Sequence, residues 1–489
     1  MHMISFWQNF NAFQNLQNGI LIMTRISEFY IEHLYGLYNH KINFDHPEGI
    51  SILHGPNGVG KTAVLKCINY IFSSNFEELI KIPFNRVSIT LSNALRILVT
   101  QLKTTSSGGS GKEPSPTGKL EVIIFSNEKL LARHTFNTIS QTQSDLSRLY
   151  SKIAASARSA SVTENYRSLI ESKSYIDNHS TSDTSEELTL DDKDAILSES
   201  IKNRKKTGSK AVKEILSTFS VHFVETNRLY RPTMEPNPNI AIGVIGTKLS
   251  KMTPTVHECA RDLVAHINSA LKSYGANAQK LDQSFPHRFI SESQPSMSIE
   301  ELKIKFSETV NKLRDLRAIG LLEAESVQPF DIKSLDTVDF NKLEIMSLFV
   351  RDSQLKLTVF DSLLARAQLL LGSMEKKFRN KRVLLSKARG LYVKLDSGDE
   401  LPLESLSSGE QHELVLMYEL LFKVPSGTLV LIDEPELSLH VSWQKAFLPE
   451  LISVAKEVGF NAVVATHSPF IVGGRHDLMS ALDAESDDE

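Results

Sequence analysis

An α/β fold is predicted: a mixed-sheet lobe around a phosphate-loop core, carrying a large helical insertion. Three observations predict it. Gly55-Pro56-Asn57-Gly58-Val59-Gly60-Lys61-Thr62 matches the spacing G-x-x-x-x-G-K-[ST] at every fixed position. Far downstream, Thr428-Leu429-Val430-Leu431-Ile432 and Asn461-Ala462-Val463-Val464-Ala465 read as strands buried on both faces. Between these features, Thr253 to Lys387 has apolar residues at three- and four-residue spacing, the helical pattern.

The phosphate loop stands where its chemistry needs it. Ile50-Ser51-Ile52-Leu53 reads as a buried strand before it, and Thr62 to Ile68 as a helix with an apolar face after it. Asn57, Gly58 and Gly60 belong to a loop whose backbone N–H groups turn inward around the phosphates of a nucleotide. The helix N-terminus adds partial positive charge. Lys61 would reach the terminal phosphates, and the Thr62 hydroxyl would ligate Mg²⁺.

The downstream strands end in reactive side chains. Asp433-Glu434-Pro435 follows the first and Thr466-His467-Ser468-Pro469 the second. Asp433, at the carboxyl end of a central strand, is placed to hold the Mg²⁺ shell opposite Thr62. Glu434 is the candidate general base for an attacking water, and His467 the candidate that contacts the γ-phosphate and orients that water. Ser407, Ser408 and Gly409 open a helical stretch whose N-terminus attracts anions.

Taken in this order, the four elements resemble the Walker A loop, signature, Walker B strand and switch histidine of ATP-binding-cassette ATPases. That resemblance implies ATP and Mg²⁺ as ligands. It also implies a signature that completes the site of a partner subunit, hence a homo-oligomer of at least two chains, with a hexamer among the options. Glu436-Leu437-Ser438-Leu439-His440 would be the inter-subunit loop. A residue after the first lobe should contact Mg²⁺ or water; Asn227, beside Arg228, is the candidate nucleotide contact, and an ordinary strand-to-loop turn is the other reading.

Along the chain, residues 1–22 form an N-terminal extension, read as an upstream start before Met23, with an aromatic docking arm as the alternative. Residues 23–140 form the first lobe, with strands at Ile26–Ile31, Tyr38–Phe44, Val87–Leu91, Leu95–Val99 and Lys119–Phe125. The Ser/Gly/Pro-rich stretch 104–118 inside it is expected to be a loop. Residues 141–214 are a polar, partly disordered insertion. Residues 215–252 bring the return strand, 253–390 the helical insertion, and 391–489 the second lobe with signature, Walker B and switch histidine.

Composition narrows the classes. A net charge of −4 over 489 residues announces no global field for nucleic acid, so direct nucleic-acid binding stays open and would need a local patch. The basic runs Lys202–Lys206 and Lys376–Arg382 are read as solvated helix faces. Two cysteines point to reduced thiols in a cytoplasm, and no apolar run approaches a membrane span.

A helical insertion between phosphate loop and signature resembles the SMC-, RecF- and OLD-like ATPases rather than transporter cassettes. Within that branch, Leu37-Tyr38-Asn39, Ile52 to Gly58, Ile82-Pro83-Phe84, Glu225 to Leu229 and Ile432 to His440 look like the ATPase subunits of the PARIS anti-phage defence system. The Septu ATPases, which partner an HNH nuclease, are a close competitor, and a DNA-maintenance ATPase is the alternative from another class. The resemblance implies a sensor and scaffold that controls a separate Toprim-type nuclease and answers a phage-encoded trigger protein. Only Ser468 to Glu489 follow His467, so no nuclease is expected on this chain.

Overall fold

The computed structural model describes residues 25–46, 48–103, 116–137, 208–226, 228–233, 251–291, 297–322 and 340–482. Strands β1 (Ile26–Leu34), β2 (Tyr38–Asn43) and β3 (Ile50–His54) lead into α1 (Lys61–Phe72) and the short α2 (Phe76–Leu79). Then come β4 (Arg86–Leu91), β5 (Leu95–Lys103), β6 (Pro116–Ser126) and β7 (Lys129–Asn137). Helix α3 (Gly208–Ser217) precedes β8 (Val221–Val224), β9 (Tyr230–Thr233) and β10 (Lys251–Pro254). Four helices follow: α4 (Thr255–Ser291), α5 (Ile299–Ala318), α6 (Phe340–Leu357) and α7 (Asp361–Lys377). The remainder is β11 (Lys381–Ser386), β12 (Gly390–Leu395), β13 (Glu400–Leu401), α8 (Ser408–Tyr418), β14 (Leu429–Asp433), α9 (Val441–Val458), β15 (Asn461–Thr466), α10 (Pro469–Val472) and β16 (Met479–Ala481).

Two sheets carry the architecture. One is antiparallel in the order β2-β1-β4-β5-β6-β7, and the other is parallel in the order β16-β3-β15-β14-β8. Strands β3, β14 and β15 are buried on both faces, which is why they read as largely apolar runs. Side chains still alternate with period two. Leu431 joins the core shared with α1 and the antiparallel sheet, whereas Val430 and Ile432 face the core shared with α4, α7, α8 and α9. Strand β15 repeats this, with Val463 and Ala465 on the first face and Ala462 and Val464 on the second. The parallel sheet is therefore the middle layer, and its carboxyl ends lie at one edge of both cores.

The predicted α/β class and most predicted strands are present. Helix α3 begins inside the stretch 141–214 read as polar and runs beyond it; it buries Val212, Ile215 and Leu216 in the core under the antiparallel sheet. The helical reading of 253–387 needs correction at both ends. Thr253 pairs with Arg231 in the β9–β10 ladder, and Lys381–Ser386 is a strand, not helix. The cause is tertiary. Val383 and Leu385 bury in the core where β11 lies against α7, and the hairpin turn fixes Gly390 of β12 at φ 67°, where a Cβ would lie 2.0 Å from the Ala260 carbonyl oxygen of α4.

Helix α6 packs on both α5 and α4. Arg288 of α4 donates to both Asp352 oxygens of α6, at 2.7 and 2.6 Å, a bidentate pair that fixes the crossing. Among the described residues, no helix is long and apolar enough to cross a membrane. Cys67 and Cys259 are both buried and neither is in a disulfide, and burial pushes the Cys67 thiol up to about 12. The extension 1–22, residues 104–115 of the Ser/Gly/Pro stretch, the run Lys202–Lys206 and the tail after Leu482 lie outside the described residues.

The second basic run is not a solvated face throughout. Lys377 is buried and its ammonium pairs with Glu413 of α8 and Glu450 of α9, while Lys381 donates to Glu410 at 3.0 Å. Lysine 377 thus ties the helical insertion to the helix that follows the signature. Lys377→Ala leaves Glu413, which is 1 % exposed, without the ammonium that it is paired with. A loss of about 3–5 kcal/mol is expected, read as a lower urea midpoint at unchanged slope.

Candidate functional site

The site assembles at the carboxyl ends of three adjacent parallel strands. Register aligns Thr466 with His54 and Asp433 with Ala465, so the segments leaving β3, β14 and β15 emerge side by side. This edge of an open parallel sheet is where such folds bind ligands.

Residues after β3 form the phosphate loop, and α1 starts at Lys61 behind Gly60, whose φ is 99°. A Cβ at Gly60 would lie 2.5 Å from Leu34 Cδ2, so glycine is required there by both conformation and space. Gly58 also has positive φ, at 87°, and is open on its outer side. His40 Nε2 lies 2.8 Å from the Val59 carbonyl, braces the loop from β2 and must carry the hydrogen, because the carbonyl can only accept. Burial holds this imidazole below its ordinary pKa. Lys61 curls over the loop, its Nζ donating to the carbonyls of Gly55 at 2.8 Å and Pro56 at 3.0 Å.

Thr62 and Asp433 meet as their motifs predict. The Thr62 hydroxyl lies 2.9 Å from Asp433 Oδ1 and 3.1 Å from Oδ2, although 371 positions separate the two residues. Thr226 Oγ1 approaches the same carboxylate, 3.3 Å from Oδ2. Two hydroxyls converging on one carboxylate form a hard-oxygen set, and such a set suits Mg²⁺.

Beside them stand Glu434 and His467. Glu434 has φ 46°, and its N–H donates to the Ala465 carbonyl at 2.9 Å, which turns the side chain off the end of β14. His467 Nδ1 lies 2.5 Å from Glu434 Oε2. Burial, and then the neighbouring Glu436 carboxylate, push Glu434 up to about 7, against the opposing pull of His467. A carboxyl with a pKa near neutrality is matched to general-base work.

Signature residues are arranged as a helix cap. The Ser407 hydroxyl and N–H both lie 2.9 Å from Glu410 Oε2, and the Glu410 N–H returns to Ser407 Oγ, which completes a capping box at the start of α8. A Cβ at Gly409 would lie 2.6 Å from the Ser438 carbonyl oxygen, so this glycine lets α8 touch the loop after β14. Ser407 and Ser408 are exposed. Among the described residues, no hydrogen bond links Ser407, Ser408 or Gly409 to the phosphate loop.

Asn227 lies outside the described residues. Its neighbour Arg228 is buried, and desolvation lowers its pKa although the charges of Glu419, Glu413, Asp433 and Glu436 oppose that shift.

Comparison with known proteins decides the family. A model described as an AAA domain matches residues 29–317, more than half of the chain. The chain belongs to the AAA-domain family. A second AAA-domain model, whose description names the AbiEii toxin of a type IV TA system, matches residues 261–473. Among curated proteins, UvrABC system protein A of Chlamydia pneumoniae is 38% identical over 71 residues, which is 14% of this chain and 4% of that protein. Septu protein PtuA of Bacillus thuringiensis is 36% identical over 72 residues, 14% of this chain and 18% of that protein. The chain thus matches only a small part of these relatives' length. Among solved structures, the Smc head domain of Pyrococcus furiosus with an extended coiled coil, bound to the C-terminal domain of ScpA, aligns over 92% of this chain and 91% of its own, at 12% identity and a TM-score of 0.35. The SmcHead bound to the C-winged helix domain of ScpA gives 91%, 90%, 10% and 0.32.

Two contacts of this AAA-domain site go beyond its motifs. Thr226 reaches Asp433 only because β8 pairs with β14, an adjacency no local pattern encodes. Glu436, within the stretch expected to face another subunit, instead turns inward and is 6 % exposed.

Proposed function

We propose that this AAA-domain chain hydrolyses ATP and serves as the sensor and scaffold subunit of a PARIS-type anti-phage system, controlling a separate nuclease. The observation that carries the first half is the convergence of Thr62, Asp433, Glu434 and His467 on the mouth of the phosphate loop. In this reading, Asn57, Gly58, Gly60 and Lys61 hold the phosphates, with Asn227 as a further nucleotide contact. Thr62 and Asp433 hold Mg²⁺, which when bound neutralises charge on the phosphates. Glu434 takes a proton from the attacking water, and His467, its ring against the Glu434 carboxylate, contacts the γ-phosphate and orients that water. Water adds to the γ-phosphorus, the bond to the β-phosphate oxygen breaks, and ADP and phosphate leave.

A defence-related role, shared by the PARIS reading and its Septu competitor, is supported by two comparisons, to the Septu protein PtuA and to a model naming a toxin–antitoxin system. The scaffold role is supported by four helices that ATP chemistry does not require, joined to α8 through Lys377. Such a connection lets a change at the nucleotide move a docking surface as a rigid body. The alternative, a DNA-maintenance ATPase, loses part of its second basic run to internal ion pairs at Lys377 and Lys381.

The chain expressed alone should show ATPase activity with no cleavage of DNA or tRNA and no growth arrest. Expression with its neighbouring nuclease gene and a phage trigger should arrest growth, and Lys61→Ala should block the arrest. Metal-dependent nuclease activity from the purified chain would overturn the scaffold reading. Because Ser407, Ser408 and Gly409 are read as serving a partner's phosphate, Lys61→Ala and Ser408→Arg chains mixed together should regain part of the ATPase activity that each lacks. Subunits that exchange without any recovery contradict a shared site.

A further inference from the structure

The loop after β14 carries a third acidic residue whose hydrogen bonds the proposed chemistry leaves without a role. Glu436 lies two positions beyond the candidate base, is 6 % exposed, and directs one oxygen at the loop after β15. Its Oε1 accepts from the Thr466 hydroxyl at 2.6 Å, from the His467 N–H at 2.9 Å and from the Ser468 N–H at 3.1 Å. The His467 ring nitrogen Nδ1 lies 3.1 Å from the same oxygen. The partners are themselves tied: the Ser468 N–H also donates to Thr466 Oγ1 at 3.0 Å, and the Ser468 hydroxyl donates to Gln444 of α9 at 2.7 Å. The other carboxylate oxygen, Oε2, is buried without a hydrogen-bond partner.

Side chains of this kind are costly to bury, so a carboxylate with one saturated and one orphaned oxygen needs a reason to be there. Packing does not supply one, since an apolar side chain could fill the space. The hydrogen bonds do. Two consecutive backbone N–H groups and a hydroxyl fixed by one oxygen determine where residue 467 leaves β15, and hence where its imidazole meets Glu434.

We propose that Glu436 is a positioning residue: it clamps the Thr466-His467-Ser468 turn so that His467 stays in register with Glu434. This rests on the ATPase reading of the same site. The clamp depends on hydrogen-bond acceptance by Oε1 rather than on net charge. A glutamine can keep all three bonds through its carbonyl oxygen, while its NH₂ takes the place of the unpartnered Oε2. An alanine keeps none. Displacing a reacting group by a fraction of a hydrogen-bond length lowers turnover far more than ground-state binding, because all the phosphate contacts but that of His467 lie on other elements.

Two readouts test this on the full-length protein. Glu436→Ala should lower kcat for ATP by roughly 10- to 100-fold with little change in KM, the usual cost of losing an outer hydrogen-bond partner, and Glu436→Gln should recover most of that loss. Hydrogen exchange followed by mass spectrometry should show faster exchange in the peptide spanning residues 461–472 for the alanine variant, and wild-type exchange for the glutamine variant. If alanine leaves both turnover and exchange unchanged, the clamp does not exist. If glutamine is as impaired as alanine while exchange stays protected, the carboxylate acts through its charge and the positioning role is wrong. Exchange that behaves as expected in a wild-type chain with no ATPase activity would uphold the clamp and overturn the ATPase reading instead.

Discussion

Glu434→Gln is expected to keep ATP bound while lowering kcat by roughly 10²- to 10⁴-fold, the range for loss of a general base. The substitution is nearly isosteric and leaves Thr62, Asp433 and the phosphate loop intact, so binding should survive. What disappears is the proton acceptor. Its environment also predicts a pH profile. Burial and the adjacent Glu436 push the Glu434 carboxyl up to about 7. A raised carboxyl is protonated below that value and cannot accept a proton there. For wild type, kcat/KM should therefore climb as pH rises through about 7 and then level off, since this parameter reports the free protein. Single-turnover phosphate release across pH 5.5 to 8.5, an arbitrary span of about three units around that value, would show it. A flat profile, or near-normal turnover in Glu434→Gln, removes this residue from the base role.

Lys61→Ala should instead abolish nucleotide binding. The Lys61 ammonium already lies over the loop, donating to two carbonyls at its rim, and needs only a small swing to exchange them for phosphate oxygens. Hydrogen bonds to charged groups contribute roughly 1.5–3 kcal/mol each, so losing two of them weakens ATP on the order of 10²-fold or more. The same substitution removes an ammonium from a loop that is otherwise held by Gly60 and by His40 on Val59, so the fold should persist. Equilibrium titration with a fluorescent ATP analogue, alongside the thermal midpoint without nucleotide, separates the two effects. Retained affinity at an unchanged midpoint would mean that Lys61 does not hold phosphate.

Much of this site was legible because each reactive residue ends a run whose pattern is local. The strand before Gly55, the apolar runs before Asp433 and Thr466, and the glycine spacing to Lys61 all follow from side-chain period and backbone freedom. Sequence cannot show which strands lie side by side, which is why Thr226 was not assigned to Asp433. It depends on β8 docking against β14. The hydrogen bonds of Glu436 are hidden from sequence for a related reason: its donors come from the turn after β15, some thirty positions away. The end of the helical insertion was misread because Lys381 to Ser386 has no turn signal strong enough to oppose the preceding helical period. The burial of Val383 and Leu385 in the core beside α7 decides it. Lys377 was read as solvated because its countercharges come from α8 and α9, 36 and 73 positions away.

The central claim is that Thr62, Asp433, Glu434 and His467 form one Mg²⁺-dependent ATP-hydrolysing centre. Steady-state phosphate release by the purified full-length chain tests it most directly, with wild type, Lys61→Ala and Glu434→Gln measured in parallel, with Mg²⁺ and with a chelator. The account predicts multiple turnovers for wild type only with Mg²⁺, and almost none for either variant. Equal rates in all three proteins, or turnover that survives the chelator, would contradict it.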